Sequence, residues 1–334
     1  MATLYVTEPG ARIEKEYRRI LVTKHDEVLR VVPLSRLSEV VLVGRGVGVT
    51  TPALHMLLRA GVGLTFVSHT GKLLGRLVPP TPKNIPARQA QYAAAQDAEL
   101  CLELARAIVA GKLRNSRAMA RRVARDRPGV DDTRIAEISR CLKALPRAPD
   151  VDTVRGLEGQ AARAYFAIWG QSFSGELRFE RRTRRPPKDP VNSLLGLGYS
   201  LLTQNLMTAC EIVGLDPYDG FFHADKYGRP ALALDLVEEF RAVIVDSLVR
   251  TLVNKRMVDE GDFRPAVKGK EGIYLTRRGL RTFFTQYSHR LNTRVIHPYY
   301  GRRLTYQKCF EVQARLLRKV IEGELDKYPP FVIK

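Results

Sequence analysis

Four prolines fall within the eight positions Pro79-Pro80-Thr81-Pro82-Lys83-Asn84-Ile85-Pro86, and they constrain the fold of this chain more than any other feature. Proline lacks an amide donor and fixes φ, so neither a helix nor a central strand propagates through such a stretch. Segment 79–87 therefore reads as a linker, and the residue patterns on its two sides differ. Before it, β-rich runs alternate with turn residues: Thr3-Leu4-Tyr5-Val6, Arg19-Ile20-Leu21-Val22, Val28-Leu29-Arg30-Val31-Val32-Pro33 and Val40-Val41-Leu42-Val43. These runs predict small antiparallel sheets. A short helix is expected over 53–60, followed by strands over 63–68 and 72–77 that turn at Thr70-Gly71.

Beyond the linker apolar residues recur at helical spacing. Helices are expected over 89–110, 114–127, 133–145, 153–173, 190–213, 235–255, 276–286 and 306–322, with Ile273-Tyr274-Leu275 as a strand remnant. The fold class that follows is α+β: a small N-terminal β-rich domain (1–78), a Pro-rich linker (79–87) and a larger, all-α C-terminal domain (88–334).

Charge narrows the function. Lys and Arg number 55 against 35 Asp and Glu, a net +20 that marks a chain made for a polyanionic partner, nucleic acid before all others. No apolar run approaches the roughly 20 residues a membrane span needs, and the N-terminus lacks a signal-peptide core, so no membrane partner and a cytoplasmic location are expected. Cys101, Cys141, Cys210 and Cys309 are scattered without a CxxC pair, which argues against a zinc ribbon or disulfide framework and for packing roles. Gly44-Arg45-Gly46-Val47-Gly48-Val49-Thr50 lacks both the GxGxxG spacing and the Gly-Lys-Ser/Thr of a phosphate loop, so it reads as a turn.

The chemistry-bearing stretch is Leu215-Asp216-Pro217-Tyr218-Asp219-Gly220-Phe221-Phe222-His223, followed by Leu234-Asp235-Leu236-Val237-Glu238-Glu239-Phe240-Arg241. Asp235 and Glu238 stand three apart in a helical run, so both point the same way, and His223 enters from the preceding loop. Carboxylates beside an imidazole suit a hard divalent cation, Mg²⁺ or Mn²⁺, which also holds phosphate oxygens. Taken alone, Asp235 and Glu238 also read as the acidic start of a helix, and His223 as a structural histidine. Glu158, near a helix start and flanked by Gly156 and Gly159, reads alone as a residue complementing the helix dipole. Glycines there suggest a ligand or another helix coming close.

The run Arg178, Arg181, Arg182, Arg184, Arg185 and Lys188 places six cations and two anions in twelve positions, and between two site-bearing helices it is expected to contact phosphates. Arg121, Arg122 and Arg125, and Arg302, Arg303 and Lys308, are further basic patches.

The stretch 215–241 resembles the CRISPR-associated integrase of spacer acquisition, the universal first CRISPR-associated protein. The resemblance continues through Gly156-Leu157-Glu158-Gly159-Gln160-Ala161-Ala162-Arg163 with Tyr165-Phe166, through Arg185-Pro186-Pro187-Lys188-Asp189-Pro190-Val191-Asn192-Ser193-Leu194-Leu195, and through Gly198-Tyr199-Ser200-Leu201-Leu202. It implies a metal-dependent DNA integrase and endonuclease that inserts short duplex spacer precursors into a CRISPR repeat. Glu158, His223 and Glu238 match the family's metal ligands, with Asp235 beside them; many relatives carry aspartate where Glu238 stands. Lys226, three after His223, is a candidate to neutralise the transferred phosphate. Tyr165 and Asn192 lie in matched motifs, as packing or substrate contacts. The resemblance also implies a homodimer and a small second CRISPR adaptation protein as partner. The competing readings are a structure-selective nuclease of branched DNA or RNA, and a DNA-binding scaffold without catalysis.

Overall fold

The computed structural model describes residues 2–68, 73–78, 84–130, 133–173, 175–183, 186–223, 226–266 and 271–333. The expected turn at 70–71, linker residues 79–83, and Arg184 and Arg185 lie outside them. In chain order the first part holds β1 (Ala2–Val6), β2 (Arg12–Glu16), β3 (Arg19–Lys24), β4 (Glu27–Pro33), β5 (Leu37–Val43), β6 (Gly48–Val49), α1 (Thr51–Arg59), β7 (Gly63–Val67) and β8 (Leu73–Leu77). They form two four-stranded sheets, ordered β1-β5-β7-β8 and β4-β3-β2-β6.

The sheets are not purely antiparallel as expected: β5 runs parallel to both β1 and β7, and β2 parallel to β6. Parallel pairing needs a crossover, and α1 supplies the one between β5 and β7. Strand β2, Arg-Ile-Glu-Lys-Glu, carries no apolar alternation and is invisible to hydrophobic patterning; its hairpin with β3 builds it, through a two-residue turn in which Tyr17 takes φ +48°.

Beyond residue 84 come α2 (Ile85–Ala95), α3 (Ala98–Asp126), α4 (Thr133–Ala144), α5 (Val151–Gly170), α6 (Pro190–Val213), α7 (Ala231–Phe240), α8 (Ser247–Asn254), β9 (Phe263–Pro265), β10 (Ile273–Leu275), α9 (Arg277–Asn292), β11 (Arg294–Ile296), β12 (Arg303–Thr305) and α10 (Tyr306–Ile321). The fold is α+β, with strands first and a mainly helical remainder. That remainder is not all-α, since β9 with β10 and β11 with β12 form short antiparallel ribbons.

The single helix expected over 89–110 breaks at Asp97, whose carboxylate caps α3 by accepting from the amides of Glu99 and Leu100 at 2.9 and 3.1 Å. Helix α3 then runs unbroken through Gly111, where two helices were expected. The glycine is there for packing: a Cβ on it would come within 2.8 Å of Pro330 Cβ. Aspartates also cap α5 and α6, Asp150 accepting from Thr153 N and Asp189 from Asn192 N, both at 2.7 Å. Between α7 and α8 the backbone widens into a π-helical turn, Arg241–Asp246.

The sheet containing β5 is covered on both faces. Val40 and Leu42 join the core of the β domain, while Val41 and Val43 join the large helical core, as strand alternation dictates. Polar contacts tie the same junction: Arg76 grips Glu211 with two hydrogen bonds of 3.0 and 2.9 Å, and Gln307 Nε2 donates to Thr3 Oγ1 at 2.9 Å. At the other end of the chain, residues 328–333 lie against α3, α7 and α10. Asn115 Nδ2 donates to the carbonyls of Glu239 and Phe331, both at 2.8 Å, while Tyr328 Oη and Phe331 N donate to the Glu239 carboxylate at 2.6 Å.

Candidate metal and nucleic-acid site

Asp235, fully buried on α7, organises the loop before it. Its Oδ2 accepts from the amides of Phe221 and Phe222 at 2.7 and 3.0 Å, and its Oδ1 accepts from the amide of His223 at 2.9 Å. Gly220 permits this wrap, because a Cβ there would lie 2.8 Å from the Ala231 backbone and 2.9 Å from Asp235 Oδ2. Asp235 Oδ1 also takes a 2.7 Å hydrogen bond from His223 Nδ1. Donation from Nδ1 leaves the lone pair on Nε2, the tautomer that ligates metals or accepts protons.

That Nε2 lies 3.9 Å from Glu238 Oε1, one helical turn beyond Asp235. Glu238 is buried, and Arg241 Nη1 donates to its Oε1 at 2.9 Å. Burial alone would raise the Glu238 pKa, but Arg241, Lys112 and His223 outweigh it and hold the carboxyl well below its ordinary value. Its Oε2 forms an ion pair with Lys112 Nζ. Glu158, from α5, meets the same ammonium.

The structure thus brings Glu158, His223, Asp235 and Glu238 to one place. Two carboxylates and an imidazole Nε2 form a donor set suited to a hard divalent ion. With Lys112 between the carboxylates, no three His, Cys, Asp or Glu side chains among the described residues stand close enough together to hold a metal. Gly156 and Gly159 are not explained by a neighbouring helix among the described residues, as a Cβ at either would meet none of them within 4 Å.

A cleft of about 890 Å³ opens over the site, lined among others by Glu158, Arg182, Tyr199, His223, Arg229 and Glu238. A second cavity, of about 540 Å³, adjoins it behind Glu158. Arg241 borders both and lies over the Tyr199 ring at 4.3 Å from its centroid. Asp246, at the end of the π-helical turn, accepts from Tyr165 and Tyr199 hydroxyls at 2.7 and 2.5 Å; burial raises its pKa and these hydrogen bonds oppose the rise.

Not every candidate reaches the cleft. Lys226 is exposed and outside its lining, so among the described residues the cations beside the carboxylates are Lys112 and Arg241, with Arg229 on the cleft wall. Of the basic run, Arg178, Arg181 and Lys188 are exposed, whereas Arg182 is half-buried, donates to Asn192 Oδ1 at 2.8 Å and lines both cavities. Asn192 is fully buried and ties this loop to α6, accepting from Thr183 N at 2.9 Å and donating to the Arg181 carbonyl at 2.8 Å. Its role is in the scaffold. Tyr165 is buried with its hydroxyl on Asp246. Arg121 and Arg125 share a separate groove of about 770 Å³ with Arg140 and Lys143, while Lys308 pairs with Glu311 at 2.7 Å.

Two residues escaped sequence reasoning. Lys112 interrupts the buried stripe Leu104, Ala105, Ile108 and Val109 of α3, and a cation on an apolar face is a signal of a buried partner. Arg241 follows Glu238 by three, the spacing of a helical ion pair.

The family model for CRISPR associated protein Cas1 matches residues 4–289. The chain is 39% identical over 337 residues to CRISPR-associated endonuclease Cas1 3 of Thermus thermophilus, covering 100% of this chain and 98% of that relative. It is likewise 39% identical to a CRISPR-associated exonuclease Cas4/endonuclease Cas1 fusion of Rhodospirillum rubrum, covering 98% of this chain but only 57% of the fusion. A casposase bound to integration product superposes with TM-score 0.85 at 25% identity, over 98% of this chain and 93% of that one. The Cas6-RT-Cas1--Cas2 complex gives TM-score 0.80 at 24% identity, over 99% of this chain and 36% of its chain, a likeness of fold. A matching family model over most of the chain, near full-length relatives and a shared fold give one conclusion: the chain belongs to the CRISPR associated protein Cas1 family.

Proposed function

We propose that the chain is a divalent-metal-dependent DNA integrase and endonuclease of CRISPR adaptation, joining the 3′-hydroxyl of a short duplex to a phosphodiester of the repeat. The observation that carries this reading is the Asp235-locked His223, whose Nε2 faces Glu238 at the floor of a cation-lined cleft. The likeness to a casposase bound to its integration product supports strand joining. Glu158, His223 and Glu238 would hold Mg²⁺ or Mn²⁺. When bound, such an ion supplies positive charge to the phosphate oxygens.

The chain's own residues do the rest. Asp235 fixes the imidazole tautomer and the loop, and Arg182, Arg229 and Arg241 supply positive charge along the cleft. One phosphodiester is made as another is broken, so positioning and charge suffice without a nucleoside triphosphate. With water in place of the 3′-hydroxyl the same site nicks DNA. Joining both strands of an insert needs two such sites, which fits the proposed homodimer and its small second adaptation protein.

The test is transfer of labelled duplex with 3′-hydroxyl ends into a supercoiled repeat-bearing plasmid, with Mg²⁺ or Mn²⁺, with and without the partner. Label entering with wild type and lost in Glu158→Ala, His223→Ala and Glu238→Ala while DNA binding persists is the expected result. Cleavage of branched DNA without transfer would instead favour a structure-selective nuclease, and binding with no metal-dependent chemistry would favour a scaffold.

A further inference from the structure

Lys112 is 8% exposed, and an ammonium so deep in a protein is strongly disfavoured unless it is paired. Its partners are Glu158 and Glu238, the two carboxylates that the reading above assigns to the metal. The helix that carries it cannot withdraw easily. One turn on, Asn115 joins α3 to the Glu239 carbonyl, and Gly111 is packed against Pro330. Only the lysine side chain is free to move, along its own flexible stem.

Its alternative surroundings are the 540 Å³ cavity behind Glu158, which Lys112 itself lines. Arg163, Arg181, Arg182 and Arg241 also line that space, so among the described residues a retracting Lys112 meets four cations and the three carboxylates Glu158, Glu180 and Asp246. An ammonium retracting from Glu158 and Glu238 into this space meets like charge. An anion in the cavity reverses that balance.

We propose that the cavity behind Glu158 is a phosphodiester site gated by Lys112, which stands in for the divalent cation until a nucleic-acid phosphate draws it away. The inference rests on Glu158, His223 and Glu238 being the metal ligands. The absence of any three-ligand cluster among the described residues while Lys112 is in place follows directly. So does a coupling: DNA tightens metal binding and metal tightens DNA binding by the same factor, because both require the lysine to leave.

The experiment measures Mn²⁺ affinity of the full chain from the EPR signal of free Mn²⁺, with and without a short duplex whose 3′ ends are dideoxy and cannot react, after subtracting Mn²⁺ held by duplex alone. For wild type the duplex should tighten Mn²⁺ binding about fivefold or more, the usual lower bound of a working coupling. Lys112→Met should bind Mn²⁺ more tightly than wild type without duplex, and the duplex should add less than about twofold, well under that bound. Arg163→Ser, at an exposed rim position, should lower the duplex effect without strengthening Mn²⁺ binding in its absence, and it serves if Lys112→Met does not fold.

Lys112→Met binding Mn²⁺ no more tightly than wild type would overturn the proposal, as would a duplex effect unchanged in both variants. Wild type with no saturable Mn²⁺ binding, with or without duplex, would remove the metal reading itself.

Discussion

Asp235 commits both oxygens to the loop of His223, three backbone amides and the ring Nδ1, so it has none left over for a ligand. On the proposed metal reading, Asp235→Asn should therefore weaken Mn²⁺ binding about 10–100-fold with Glu158 and Glu238 intact, the usual cost of losing the partner that orients a ligating histidine. Titration of the purified variant with Mn²⁺ checks it. His297, far along the chain, shows the same economy of protons. Its Nε2 contacts Gln313 Oε1 at 3.1 Å, its Nδ1 is buried without a partner among the described residues, and burial lowers its pKa although the Gln313 contact opposes this. The folded state thus prefers neutral His297. That contribution is complete above the unfolded value of about 6.5 and is lost as pH falls below it. Melting wild type and His297→Asn between pH 7.5 and 5.5 should show wild type losing more stability.

At the scale of elements, the π-helical turn Arg241–Asp246 re-aims two side chains within one continuous helical path, Arg241 toward Glu238 and Asp246 toward the two tyrosines. Tyr165→Phe removes one donor from a buried carboxylate and should cost about 1–3 kcal/mol in a denaturant melt. A helix over 235–255 is legible in the apolar spacing of its residues; the widened turn is not, because one extra residue leaves no mark on that spacing. The same holds elsewhere. The D-x-x-E pair, His223 and Glu158 were legible as residue types, and the family resemblance was what brought Glu158 beside them. Lys112 was not legible as their partner, since contact between α3 and α5 depends on tertiary packing across 46 residues. Strand β2 and the parallel pairings escaped for a related reason: pairing partners, not local pattern, decide them.

In the whole molecule the two parts are not loosely tethered units. Their cores share the strand β5, and Arg76 with Glu211 locks the junction. Arg76→Met leaves Glu211 without its bidentate partner and should cost about 1–3 kcal/mol, with faster proteolysis near the junction as the readout. The segment 328–333 binds the molecule in another way. Its Tyr328 and Phe331 hold Glu239, the immediate neighbour of Glu238, and Pro330 rests on the turn that carries Lys112. A ribosome making this protein finishes α3, α5 and α7 well before it adds that segment. Until it emerges, the nascent chain has the acidic residues but not the brace behind them, so the cluster takes its final shape only after residues 328–333 have left the ribosome.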